Sequence, residues 1–178
     1  MGETRGALDK NPGNVNLTAP QGYRFQIKKL PNVNFFLQTV DIPEITMPPS
    51  IQSNPFADIQ WPGNKLTFGD LNITFKVDED LNNYRELFNW MMGIGFPENT
   101  EEYGVLARKP AHSGEGVFSD ASLIATTMLK NPNIEYIFQD AWPSYLGSIA
   151  FSTTSDDVNY LTCKATFKYT LFKVSLLP

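Results

Sequence analysis

The chain has 178 residues, a formal net charge of −5, 42% hydrophobic and 19% charged residues, and a single cysteine. That suffices for one domain with its own core, and it excludes an intramolecular disulfide framework, in keeping with assembly in a reducing, intracellular place. The acidic balance argues against tight nucleic-acid binding, which depends on lysines and arginines at phosphates, and no apolar run reaches the roughly 18–20 residues that cross a bilayer.

The first residues, MGETRGALDKNPGNVN, lack the apolar region of a secretory signal. Residues 1–20, rich in Gly, Asn and Pro, read as a flexible arm ahead of a single domain over 21–178. Strands follow. Tyr23, Phe25 and Ile27 alternate with Arg24, Gln26 and Lys28, and Phe36–Ile42 reads as a second strand. From Pro43 to Gly63 the prolines are too frequent for a central strand. The spacing predicts a long extended excursion that exposes Met47, Ile51, Phe56 and Trp61.

Lys65–Val77 resumes alternation, and its apolar parity changes across Gly69-Asp70, which predicts a bulge or turn there. In DEDLNNYRELFNWMMGIG the period becomes helical. Leu81, Tyr84, Phe88, Met91 and Met92 share one face of a helix over about 80–93, with Asp80 as cap and Gly93 or Gly95 as stop. It is the one helix expected, and 96–118 reads as an irregular surface loop. Ser122–Leu129 and Ile134–Trp142 form a hairpin through residues 130–133, and Ile149–Thr153 is a short strand.

The chain closes with VNYLTCKATFKYTLFKV, 158–174. Leu161, Cys163, Ala165, Phe167, Tyr169 and Leu171 alternate with Thr162, Lys164, Thr166, Lys168 and Thr170. This reads as one strand with a dry and a wet face, on the order of 50 Å long. The fold class is therefore mainly β, a sandwich or barrel with one helix.

Chemistry is scarce. His112, the only histidine, lies in a Gly/Ser-rich loop, and Cys163 falls on the dry face, so no nitrogen/sulfur zinc site forms within one chain. The glycines of GIG at 93–95 end a helix, whereas a phosphate cradle needs them to open one. Asp78, Glu79 and Asp80 at a helix start read as caps and dipole partners. The sequence points to no enzyme, no cofactor and no metal.

Several segments together resemble the tail tube proteins of contractile-tailed bacteriophages, relatives of pyocin tubes and of the haemolysin-coregulated tube protein of type VI secretion. They are WPGNKLTFGDLNITFKVDEDLNNYRELFNWM, SDASLIATTMLKNPN and DAWPSYLGSIAFSTTSDDVNYLTCKATFKYTLFKV, with a Trp142-Pro143 turn and a Ser155-Asp156-Asp157 loop. The resemblance covers about residues 22–174. It implies stacked hexameric rings in which each subunit adds strands to one barrel around a lumen. Sheath would lie outside, baseplate and terminator proteins at the tube ends, and DNA would pass without specific binding. It further implies a virion tail component assembled in the host cytoplasm, with no membrane partner. Pro43–Gly63, carrying Met47, Ile51, Phe56 and Trp61, is then the expected contact between rings. A tube-initiating or baseplate protein of the same fold, a type VI-like effector tube and a lone ligand-binding barrel are the alternatives. Lys164, Lys168, Lys76 and Arg24 fit a DNA lumen poorly unless acids offset them or their faces point elsewhere.

Overall fold

The computed structural model describes residues 15–95, 100–110, 115–153 and 160–177. Most of the expected arm, His112 and the Ser155-Asp156-Asp157 loop lie outside them. In chain order the main elements are β1 (Tyr23–Ile27), α1 (Pro31–Phe35), β2 (Leu37–Val40), β3 (Ile45–Thr46), β4 (Ser50–Gln52), β5 (Ile59–Trp61), β6 (Thr67–Phe68) and β7 (Leu71–Lys76). There follow α2 (Asn82–Gly95), α3 (Thr100–Ala107), β8 (Ser119–Thr126), β9 (Pro132–Leu146), β10 (Thr162–Lys168) and β11 (Leu171–Leu176).

The mainly β expectation holds, in its sandwich form. The main ladder runs β1-β8-β9-β10-β7-β2, with β11 also on β9, and every pairing is antiparallel. β9 serves both layers: its first part pairs with β8 and β11, its last part with β10. Between the two parts stands Asp140 at φ 56°, a left-handed residue that turns the strand from one layer to the other. Phe25, Leu123, Phe138 and Phe172 from one layer and Ile73, Phe75, Ala165 and Phe167 from the other fill one core. β1 and β2 end the ladder unpaired with each other, so the sheets do not close into a barrel.

The long closing strand is two strands. Cys163, Ala165 and Phe167 are buried, but the next buried residue is Phe172, a change of parity that one regular strand cannot make. The break falls at Tyr169-Thr170: Tyr169 donates its hydroxyl to Gly69 O (2.8 Å), and Thr170 N–H bonds to Gln139 O (3.0 Å). The continued apolar alternation at Tyr169 and Leu171 hid this. The longest strand is instead β9, with 15 residues. Trp142-Pro143 is part of β9, not a turn; Pro143 faces Phe167 where the register shifts and a ladder bond is dispensable. Residues 149–153 form no strand. The predicted break at Gly69-Asp70 is present: β6 and β7 flank it and pair with different partners.

Helix α2 begins two residues later than expected, and its cap is Asp78. The Asp78 carboxylate accepts from Asn82 N–H and Asn83 N–H, each at 3.1 Å, while Leu81 sits at φ 56°. Its buried face is Asn83, Leu87 and Trp90, whereas Phe88 is exposed. A search for apolar residues alone misses Asn83, which is buried because its amide donates to Lys76 O (2.7 Å). Two further helices are present, α3 within the expected loop 96–118 and α1 between the first two strands. Proline at N1 starts the short α1, and α3 carries Gly104 and little amphipathic pattern, yet packs Leu106 on the core.

Candidate assembly surface

The excursion after β2 leaves the sandwich as a narrow arm. Its base is a two-pair ladder, Ile45 opposite Phe68 and Thr46 opposite Thr67; further out, Ser50, Ile51 and Gln52 pair with Trp61, Gln60 and Ile59. Prolines at 48, 49, 55 and 62 interrupt every ladder, which keeps each one short. The base is fixed by contact. Gly69 N–H bonds to Glu44 O (2.9 Å), and a Cβ on Gly63 would stand 2.0 Å from Pro48 O, so only glycine fits there.

Every residue from 44 to 62 is exposed. All four residues singled out in the sequence lie on this arm: Met47 is 50% exposed, Ile51 62%, Phe56 96% and Trp61 56%. Ile45, Ile59 and Leu66 add to the same apolar surface. Trp61 and Ile59 share one face of the outer ladder and Ile51 projects from the other, so both faces are apolar. The tip is held by local bonds: Ser53 Oγ to Asp58 Oδ1 (3.1 Å), and Trp61 Nε1 to Gln52 Oε1 (3.2 Å). The arm is thus ordered by its own chain while its apolar side chains stand in water, an exposed apolar surface of the kind that marks interaction sites.

Three of the four cations that fit a DNA channel poorly, Lys76, Lys164 and Lys168, lie on β7 and β10, and Arg24 is on β1. Lys168 is paired with Asp70, and the Lys76 ammonium lies 4.7 Å from the centre of the Tyr160 ring. Burial first, and then Asp70, push the Tyr169 hydroxyl up to about 12. A different cation is held under α2: Lys29 Nζ donates to Gly116 O (2.6 Å) and lies 4.7 Å over the Trp90 ring. Burial first, and then Lys109, bring its amine down to about 8 against the pull of Glu115. Cys163 is buried, its thiol donates to Gly147 O (3.3 Å), and burial pushes its pKa up. Among the described residues no group of three or more His, Cys, Asp or Glu stands together as a metal site.

Among the described residues the molecule is thus a sandwich with an unclosed ladder and an exposed apolar arm. Comparison with known proteins identifies its family. The phage tail tube protein family model matches residues 11–175. The chain belongs to the phage tail tube family. The tail tube terminator protein of Enterobacteria phage T4 is 30% identical over 144 residues, covering 77% of this chain and 75% of that protein. Among solved structures, the tube terminating cap of the anti-feeding prophage overlays with a TM-score of 0.58 at 13% identity, over 97% of this chain and all of that one. The sheath/tube terminator of an extracellular contractile injection system gives 0.56 at 14% identity, over 91% and 99%. These likenesses show a shared fold. As a member of the tail tube family the chain is a structural protein of a phage tail, not an enzyme.

Proposed function

We propose that this tail tube family member forms a sixfold ring on the axis of a contractile tail, and that the ring sits at the end of the tube and terminates it. The observation that carries this reading is the 30% identity to a tail tube terminator across about three quarters of both chains. The ring is a passive part of the virion: sheath subunits lie outside it, the baseplate is at the far end of the tube, and DNA leaves through its lumen. Assembly takes place in the host cytoplasm. The arm 44–62, with Met47, Ile51, Phe56 and Trp61, is the joint to the adjoining ring. Six copies of a modest apolar contact, at roughly 25 cal/mol per Å² buried, add up to a stiff joint.

The second reading is a repeating subunit of the tube body. The arm favours it, since ring-to-ring contact is required at every level of a tube. Two measurements separate the readings. A terminator purified alone gives single rings in negative-stain micrographs, and whole tails contain it at one ring per particle by quantitative mass spectrometry. Filaments from the pure protein, or a copy number matching that of the sheath, reject the terminator in favour of the tube body. A chain that remains monomeric under every condition rejects both.

A further inference from the structure

The open seam between β1 and β2 has a shape and a chemistry of its own. A groove of about 940 Å³ runs along it, lined by apolar Phe35, Leu37 and Ile124 and by polar Arg24 and Gln26, with Tyr23 and Gln38 at one end. The two strands touch through one bond, from the Tyr23 hydroxyl to Gln38 O. At the other end Asn34 imitates a neighbouring strand: its amide accepts from Ile27 N–H and donates to Ile27 O, each at 2.9 Å. Main-chain groups point to one edge of an antiparallel strand at every second residue. Phe25 and Tyr23 therefore turn their N–H and C=O groups to the same side as Ile27, into the groove. Among the described residues no main-chain group meets them there. An unpaired edge beside a groove of alternating apolar and polar side chains is a site for one added strand.

The chain also carries a segment with the matching pattern. Val15, Leu17 and Ala19 alternate with Asn16 and Thr18, a strand-like period, yet residues 15–19 form no ladder, and Val15 and Leu17 are 77% and 85% exposed. In its own subunit the segment lies off the β1 edge, with Thr18 and Ala19 beside Gln38 and Val40 of β2. Gly22 N–H bonds to Ala19 O (3.0 Å), closing a turn with Pro20 in its second position. Proline holds φ near −65°, whereas the turns that bring two strands side by side need a positive φ at that position. The turn thus splays the segment away from β1. Gly22 is in turn locked on β8, where Thr126 N–H bonds to its carbonyl (2.8 Å) and an added Cβ would meet Thr126 Oγ1 at 2.9 Å.

We infer that residues 15–19 of one copy add as a strand to the β1 edge of a second copy, filling its seam and linking subunits around the ring. The choice of a second copy as occupant rests on the ring proposed above. The test is a pair of cysteines in the full chain, Leu17→Cys with Phe35→Cys, treated with a short bis-maleimide. Cys163 is buried with a raised pKa and stays unreactive. The expected product is a covalent ladder that reaches ring size on a denaturing gel, absent from either single variant. Val15→Asp with Leu17→Asp is expected to weaken ring association roughly tenfold or more while leaving the unfolding of the subunit unchanged. A fast-migrating, internally linked monomer places the segment in its own seam and overturns the inference. Rings by light scattering without a ladder, or undiminished by the Asp pair, overturn it and leave the ring reading standing. A wild-type chain that stays monomeric overturns both.

Discussion

Strand β10 and the arm 44–62 are both extended, and both are rich in apolar side chains. In β10 the apolar residues Cys163, Ala165 and Phe167 are sealed between β7 and β9. In the arm, Ile51, Phe56 and Trp61 are on a ladder of three pairs or beyond it, and more than half their surface faces water. The difference lies in the supply of partners. β10 finds a strand on each side within its own chain, whereas prolines cut the arm's ladders short and leave its side chains in water. The first region makes the subunit; the second, in the reading proposed above, joins it to a neighbour. Substitutions in the two should therefore separate stability from assembly.

The largest effect is expected in the strand. Phe167 is fully buried, and its ring lies 6.2 Å from that of Trp90. Phe167→Ala should cost about 3–5 kcal/mol in denaturant unfolding, the range for emptying a buried aromatic site. A loss below about 1 kcal/mol would mean that the core of this layer is not where the structure places it. A smaller effect is expected at the start of α2. Asp78→Ala removes the acceptor for two helix N–H groups and should cost about 1 kcal/mol, whereas Asp80→Ala should cost next to nothing. Equal costs would return the cap to the position that spacing alone suggested.

Lys29 gives a pH test of the same core. Its amine is at about 8 in the folded chain and at 10.5 when unperturbed. Between those values the unfolded chain holds a proton that the folded chain has released, so the Lys29 contribution to stability rises with pH across that window and is flat below it. Lys29→Met lacks this slope. Relative to wild type, the variant should therefore lose ground as pH rises from 7 to 10, measured as a difference so that the tyrosines cancel. A constant difference would show that the ammonium is not desolvated beside Trp90.

How much of this was legible in the sequence follows from the same contrast. Alternation revealed β7 and β10, because each has one wet and one dry face, and the turn signal at residues 130–133 revealed the hairpin of β8 and β9. The exposed state of Met47, Ile51, Phe56 and Trp61 was also legible, since the prolines that bar a central strand are explicit in the sequence. What stayed hidden depends on contacts between distant residues. The break at Tyr169 depends on Gly69, the burial of Asn83 on Lys76 O, and α3 on packing beside α2. The seam was invisible because an unpaired edge is defined by what fails to meet it.

The smallest effect on the subunit, and the sharpest contrast with β10, is expected in the arm. Phe56 is 96% exposed and Trp61 keeps 56% of its surface in water, so the isolated subunit gains little from either. Trp61 makes one side-chain bond, to exposed Gln52, and losing it leaves no buried group unpaired. Phe56→Ser with Trp61→Ser should thus shift subunit stability by no more than about 0.5 kcal/mol, the usual range for surface sites. Joining to the neighbouring ring is another matter, because there the same two side chains would leave water in six copies at once. The double variant should form subunits and single rings at wild-type yield, yet fail to join tube when mixed with the other tail proteins, as counted in micrographs of finished tails. Tails that complete at the wild-type rate would show that the arm is not the joint. A variant that fails to fold would show that the arm belongs with β10 after all, as part of what makes the subunit.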